Sequence, residues 1–470
     1  MLYGPITRVL VRLAGPTVLT AALQGVAASL ATIMVGRFGG AQVAAVTAAS
    51  QVLMIVLVAG GAVAAGTGIL VAQAIGRGDR DEANHIATQA LMVFCGGVML
   101  VLTPVGWYFT PWLLRALTDG DLEVMRIGVP YMHIIIVSLL PTLVSFAAMG
   151  ALRGAGDTRT PLNLTIWTNL FNVVANYALI FGVPRLGIAP HEALGAAWGN
   201  AISRTVVLIW LLALLAGGRL TLHFERRRLG VDWSLLVKMT RLGTPYATSS
   251  VFLNLWGLLV IRILYQTDLA RAAVTAYGLS MMMRNLGTWV TWGFSEATMA
   301  MVGQNIGAGQ RQRAAHIGYA ATRVAVAYLL PVSALIGAAA PWLLGLMYHE
   351  ADPVLKGSVV AVGTWFLRSQ VVALPVLGVG MCLEGALRGT GDTTSPLLIN
   401  LLSLYLCGLP ASLLLAVRAV PLGFVTLPGA GLGPDGVWLG MAIGVMVRGA
   451  LGWLRWGWWR RRRMGTDTSA

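Results

Sequence analysis

Apolar runs of 20 to 30 residues recur along this chain, and they leave few folds open. Hydrophobic residues make up 57% of the sequence and charged ones only 11%, with a mean hydropathy of +0.75. So little polar surface could not cover a soluble domain of this size. Segments that cross a bilayer must satisfy their backbone internally, as helices or as a closed barrel. Runs this long are helical lengths, not the ten-residue alternation of barrel strands. The reading is an all-α membrane protein of twelve transmembrane helices. The spans fall at about 13–36, 43–74, 84–109, 125–152, 161–181, 194–216, 242–266, 272–303, 314–340, 356–388, 395–417 and 435–457.

One stretch is written twice. Gly150-Ala-Leu-Arg-Gly-Ala-Gly-Asp-Thr-Arg-Thr-Pro-Leu162 returns 235 residues later as Gly385-Ala-Leu-Arg-Gly-Thr-Gly-Asp-Thr-Thr-Ser-Pro-Leu397, with ten of 13 positions identical. A repeat at half the chain length implies a duplicated half. Gly154 and Gly156 suit a helix C-terminus with positive φ, as do Gly389 and Gly391 in the copy. Arg153 and Arg388 then sit in a last helical turn, where a cation meets the negative helix end. Asp157 and Asp392 are cap residues, and the prolines fit the first turn of the next helix. Each stretch therefore reads as a tight polar hairpin between two apolar helices. A phosphate cradle is disfavoured, because the Walker lysine and a preceding strand are missing.

Other segments repeat too. Leu13-Ala-Gly-Pro16 answers Leu242-Gly-Thr-Pro245, and Ala44-Ala-Val-Thr-Ala48 returns verbatim at 272–276. Gln73-Ala-Ile-Gly-Arg-Gly78 answers Gln304-Asn-Ile-Gly-Ala-Gly309, which makes Gln304, Gly307 and Gly309 a further turn motif, and His85 matches His316. Gly195 and Gly199 answer Gly436 and Gly440. Six spans per half is an even number, so both halves enter from the same side. The expected fold is two six-helix lobes related by a pseudo-two-fold axis along the membrane normal. The expected divisions are an N-terminal lobe, 1–216; a linker, 217–241; a C-terminal lobe, 242–457; and a basic tail, 458–470.

The net charge of +15 is not spread as a nucleic-acid surface would be. Roughly 20 of the 33 Lys and Arg fall in the termini and every second loop, about seven in the other loops and about six inside spans, a bias that puts both termini in the cytoplasm. A plasma (inner) membrane protein is expected, probing no nucleic acid and acting as a monomer. Glu225-Arg-Arg-Arg228 in the linker reads equally as an amphipathic piece on the inner leaflet or a solvated basic loop. The tail from Trp453 to Arg463 reads as an aromatic belt running into a basic anchor. Cys95, Cys382 and Cys407 lie in apolar runs without metal-type spacing and read as packing residues. The N-terminus enters the first span without a small-residue cleavage site.

With these motifs the sequence resembles the multidrug and toxic compound extrusion (MATE) family. The resemblance rests on the paired Leu-Arg-Gly-x-Gly-Asp-Thr segments at 152–158 and 387–393, on Gln304-Asn-Ile-Gly-Ala-Gly309, and on Asn172-Val-Val-Ala-Asn-Tyr-Ala-Leu-Ile-Phe-Gly182. It covers essentially the whole chain. It implies an antiporter that exports mostly cationic or amphiphilic organic compounds against H+ or Na+, with no other cofactor. The family's usual ion sites do not carry over. Ala31 stands where many members have an Asp, Asn176 where some have an Asp, Leu253 and Asn254 near a Glu of one branch, and Leu377 near a further Asp.

Two acids remain inside apolar spans, Glu296 and Glu384, and intramembrane carboxylates default to functional candidates. They are the expected ion-coupling residues, against the alternative that each caps a helix or snorkels to the interface. A lone Glu per helix fits H+ better than Na+, which wants several converging oxygens. Asn169, Asn172 and Asn176 form one helical stripe that either lines a cavity or bonds another helix. Gln24 and Asn254 are isolated versions of the same idea. Arg262, Arg284 and Arg368 are read as buried-span cations. Arg284 lies about 18 Å along the helix from Glu296, too far to pair with it, so any ion pair must cross between helices. Met281-Met-Met283 with Trp289 and Trp292 could wall a site for a flat cation. A flippase of a lipid-linked precursor is the rival within the superfamily, since the cations would suit it. A lipid-headgroup enzyme is disfavoured for want of a clustered Asp, His and Cys set.

Overall fold

The structure, a computed structural model, describes the chain except residues 1, 36–39, 118–120, 188, 219, 224–229, 349–351, 422–425 and 465–470. Among the described residues the helices group into twelve spans. Span 1 is Ile6–Val35 and span 2 Gly40–Arg77. Span 3 joins Arg80–Thr88 and Cys95–Leu117 through a π turn at Gln89–Phe94. Span 4 is broken into Leu122–Val137 and Leu139–Ala155, bent by 44°. Spans 5 to 8 are Arg159–Phe181, Glu192–Ala216, Trp233–Leu264 and Ala270–Gly307. Spans 9 and 10 are Arg311–Met347 and Pro353–Gly389. Span 11 joins Thr394–Asn400 and Leu409–Ala416 through a π turn at Leu401–Gly408, and span 12 is Pro434–Met464. Between the last two lies a hairpin of three-residue strands, β1 (Ala419–Pro421) and β2 (Thr426–Pro428). The linker expected over 217–241 is shorter than that, because span 7 begins at Trp233. Its Glu225-Arg-Arg-Arg228 segment lies outside the described residues, as do Arg37 and Asp119.

The break in span 4 follows from Pro141. Proline has no N–H for the carbonyl one turn back, so the helix bends there. At the bend Ser138 Oγ donates to Ile135 O at 2.7 Å and Thr142 Oγ1 to Ser138 O at 2.8 Å.

The chain forms two compact units. One contains Met1–Val18 with Thr248–Ala470; the other contains Leu19–Ala247. Spans 1 and 7 each pass from one unit to the other, two residues beyond Pro16 and two beyond Pro245. The matched prolines thus mark equivalent points of the repeat. Each unit has its own apolar core. In 19–247 it gathers Leu143, Leu152, Leu164, Ile180 and Leu211. In the other unit Tyr277, Phe366 and Trp438 pack together, Tyr277 and Trp438 stacked at 5.9 Å.

Glycine makes the tightest helix pairs, and the duplication preserves them. A Cβ on Gly150 would lie 2.3 Å from Ala64 O, and one on Gly385 2.3 Å from Ser295 O. Four residues on, Gly154 meets Gly68 O and Gly389 meets Met299 O. Such small-xxx-small faces let helix backbones touch where no hydrophobic force between helices is available in lipid.

Candidate functional site

The repeated hairpins are turns as the sequence suggests, with one correction. Gly156 and Gly391 carry the positive φ (93° and 91°). Gly154 and Gly389 do not: they lie within the helix, where the neighbouring backbone leaves no room for a side chain. In both copies the Asp N–H reaches five residues back in a Schellman pattern, Asp157 to Leu152 O at 2.9 Å and Asp392 to Leu387 O at 3.1 Å. Asp157 Oδ1 accepts from the N–H of Arg159 and of Thr160, and Asp392 Oδ1 from that of Ser395. Gly309, with φ 74°, closes the turn after Gln304 and Gly307 in the same manner as Gly78, with φ 81°.

The two intramembrane acids lie in the unit containing 248–470, and both are buried. Neither snorkels. Glu384, in span 10, meets Arg448 of span 12 in a fork: Nε donates to Oε1 at 2.6 Å and Nη2 to Oε2 at 2.7 Å. Glu296, in span 8, faces Arg388 in the last turn of span 10, where Nη1 lies 3.5 Å from Oε1. The Nη2 of Arg388 donates to Ser295 Oγ at 2.8 Å, and Ser295 Oγ donates to Met381 O at 2.6 Å. One acid is therefore clamped in two good hydrogen bonds, and the other has, among the described residues, one long contact with Arg388. A bidentate fork is the strong arrangement of this pair of groups.

These cations are not the ones the sequence singles out. Arg262 and Arg368 lie on the exposed surface of their unit, a correction to their reading as buried. Arg284 is half-buried, its Nε without a hydrogen-bond partner among the described residues. Arg388 reads in the sequence as the last-turn arginine of the hairpin motif and Arg448 is passed over. The signal for Arg448 was its position inside the last apolar run, where a cation needs a partner. The repeat sharpens the point. Arg153 answers Arg388, yet Ala65 stands in span 2 where span 8 has Glu296. Arg204 of span 6 is likewise missed by the sequence reading; it donates to Asn200 Oδ1 and Thr142 Oγ1, both at 3.0 Å.

The polar stripe of span 5 has two environments. Asn169 Nδ2 donates to Leu23 O of span 1 at 2.9 Å. Asn172 and Asn176 are buried, joined by a 3.0 Å hydrogen bond, and Asn176 lies against Gly199 of span 6. Gln24 and Asn254 are exposed, and Asn254 Nδ2 bonds its own helix at Ser250 O. Trp289 and Trp292 are half-buried on span 8. A mostly apolar cavity of about 400 Å³ opens in the unit of 19–247 between spans 3, 4 and 6, where Trp107 stacks on His133 at 3.8 Å near Trp198. Among the described residues no group of three or more His, Cys, Asp and Glu could hold a metal. Cys95 and Cys382 are buried and Cys407 half-buried, all free thiols.

At the linker, His85 Nε2 lies 3.2 Å from Asp232 Oδ2. Asp232 caps span 7 through the Leu235 N–H at 3.0 Å, and that bond, with those from Ser234 and His85, draws its carboxyl down to about 2. Gln89 Nε2 donates to Gly230 O at 2.6 Å, and His223 N–H to Asn84 Oδ1 at 2.8 Å. The linker is thus fastened to the start of span 3.

Comparison with known proteins agrees with this geometry. The MatE family profile matches residues 16–178 and 245–414, one match to each half. The probable multidrug resistance protein NorM of Thermotoga maritima is 25% identical over 98% of this chain and 95% of its own length. The protein of that name in Deinococcus radiodurans is 27% identical over 94% and 93%. Among solved structures, an outward-facing multidrug resistance MATE family transporter of the MOP superfamily superposes with a TM-score of 0.86, at 21% identity, over 100% of this chain and 98% of its own. A Pyrococcus furiosus transporter of the same superfamily, described as having a binding pocket of reverse polarity, gives 0.84 at 20% identity over 100% and 98%. With both halves matched by one profile and the duplicated turns in place, the chain belongs to the MatE family of membrane transporters.

Proposed function

We propose that the protein is a secondary active exporter of cationic or amphiphilic organic compounds that antiports H+, with Glu296 as the coupling acid. The observation that carries this is the inequality of the two buried pairs. A proton antiporter needs a carboxylate that trades a cationic partner for a proton as its surroundings change. A guanidinium within reach pairs with the carboxylate, so an exchange of partners requires that the pair loosen. Glu296, held at 3.5 Å by one guanidinium nitrogen that serves a turn motif, is better suited to this than Glu384 in its fork. Arg388 belongs to the hairpin at the end of span 10, so a shift of that hairpin would change what Glu296 meets. H+ is favoured over Na+ because, among the described residues, neither acid belongs to a group of three or more His, Cys, Asp and Glu that could hold a metal ion. The family membership and the names of the relatives support efflux of drugs. The charge bias of the loops supports both termini in the cytoplasm.

A second reading is kept by a specific observation. Both in-span acids are tied to arginines, while Arg204 and Arg284 have no acidic partner among the described residues. The surplus is positive, which would suit an anionic headgroup and hence a flippase of a lipid-linked precursor. Proteoliposomes separate the readings. Ethidium efflux driven by an imposed pH gradient, with no response to a Na+ gradient, is the expected result. Absence of dye transport under both gradients would remove the proposal and leave the flippase.

A further inference from the structure

The geometry points to a binding site for the phosphate headgroup of an anionic phospholipid at the end of span 12, built with the second hairpin. A crevice of about 550 Å³ lies there, lined by Gly391, Asp392, Arg455, Trp458, Trp459 and Arg462. Its size is that of a small-molecule site. Arg455 is held in place by two hydrogen bonds, Nε to Ser395 Oγ at 2.9 Å and Nη2 to Asp392 Oδ2 at 2.5 Å. Its third nitrogen, Nη1, is shielded from solvent and has no partner among the described residues. A shielded guanidinium N–H without an acceptor is an unmet demand for an oxygen. Arg462 is exposed and lies 4.2 Å from the centre of the Trp458 ring, with Arg455 at 4.4 Å from the same ring. Arg460 and Arg461 are exposed on the same turn. Asp392 is the one acid of the crevice, and it is committed to Ser395 and Arg455.

The surroundings favour a lipid over a free anion. Trp456 and Trp459 stack at 4.7 Å as a buried pair, while Trp453 and Trp458 are exposed. Tryptophan at a span end sits at headgroup level, and clustered arginine just beyond it recognises anionic lipid. Counted from the matched glycines Gly199 and Gly440, the residue fifteen further on is Leu214 in one half and Arg455 in the other. The first hairpin therefore repeats the turn without the cation. The inference rests on the reading of the C-terminus as cytoplasmic only for the choice of leaflet; binding itself does not depend on it.

The test is native mass spectrometry of the full chain in detergent, titrated separately with phosphatidylglycerol, phosphatidylcholine, glycerol 3-phosphate and inorganic phosphate. Wild type is expected to hold one phosphatidylglycerol about tenfold more tightly than phosphatidylcholine, and to hold neither soluble phosphate comparably. Arg455→Gln with Arg462→Gln should abolish the preference, and Arg159→Gln, at the turn of the first hairpin, should keep it. Arg462→Gln alone, which spares the Asp392 contact, should cut the preference several-fold and serves if the double variant does not fold. Equal retention of phosphatidylcholine, or a preference untouched by the Arg462 variant, overturns the inference. Glycerol 3-phosphate binding as tightly as phosphatidylglycerol would overturn it in favour of a soluble-anion site.

Discussion

Arg388 and Glu296 face each other at 3.5 Å across spans 10 and 8, 92 residues apart in sequence and both buried. The arginine belongs to the duplicated hairpin, the acid to the polar helix that precedes the Gln304 turn. The acid proposed for coupling and the duplicated hairpin thus meet in one contact. Glu296→Gln keeps the shape and removes the charge. It should abolish pH-driven dye efflux in proteoliposomes while leaving the purified protein folded, read by size exclusion and circular dichroism. Undiminished efflux would exclude Glu296 from coupling.

Glu384 and Arg448 should behave differently, because their fork is tight. Removing one member leaves an unpaired buried charge, which costs about 3–5 kcal/mol. Arg448→Met is expected to lower the thermal stability of the purified protein sharply. Replacing both, as Glu384→Leu with Arg448→Met, should recover most of the loss, since paired replacement of a buried salt bridge by apolar residues is often neutral. A double variant as unstable as the single one would argue against the pair as the cause.

The glycine contacts predict a matched pair of lesions. Gly150→Ala and Gly385→Ala each push a methyl to 2.3 Å from a carbonyl of the facing span. Backbone cannot yield as a side-chain tip can, so each change should cost a few kcal/mol by overpacking. Gly96→Ala, where nothing lies within 4 Å, should be neutral. Melting temperatures of the three variants make the comparison.

The cap of span 7 carries a pH dependence with a definite sign. The Asp232 carboxyl is drawn down to about 2, chiefly by the Leu235 N–H, from an ordinary value of about 3.9. A depressed folded-state value stabilises above the unfolded one and is lost as pH falls from about 4 to about 2. Asp232→Asn should therefore flatten the stability profile in that acid window. Thermal melts of the two proteins across that window would test this.

Much of the molecule is legible in the sequence, and the reason is the bilayer. Lipid demands long apolar helices and punishes unpaired polar groups, so the spans, the duplicated halves, the hairpins and the two exceptional acids stand out by composition and spacing alone. Gly156 and Asp157 are readable because a turn needs a positive φ and a cap. Gly154 is not readable in this way, because a helical glycine that admits a neighbouring backbone looks, in one dimension, like one that ends a helix. Partner choice was also hidden. The sequence excludes Arg284 as a partner of Glu296 by helix rise, but cannot nominate Arg388 or Arg448, because which faces of spans 8, 10 and 12 meet is set by glycine contacts between segments far apart in the chain. The passage of spans 1 and 7 between units just after Pro16 and Pro245 is likewise a tertiary fact. Periodicity fixes what one helix presents, and only packing determines what it is presented to.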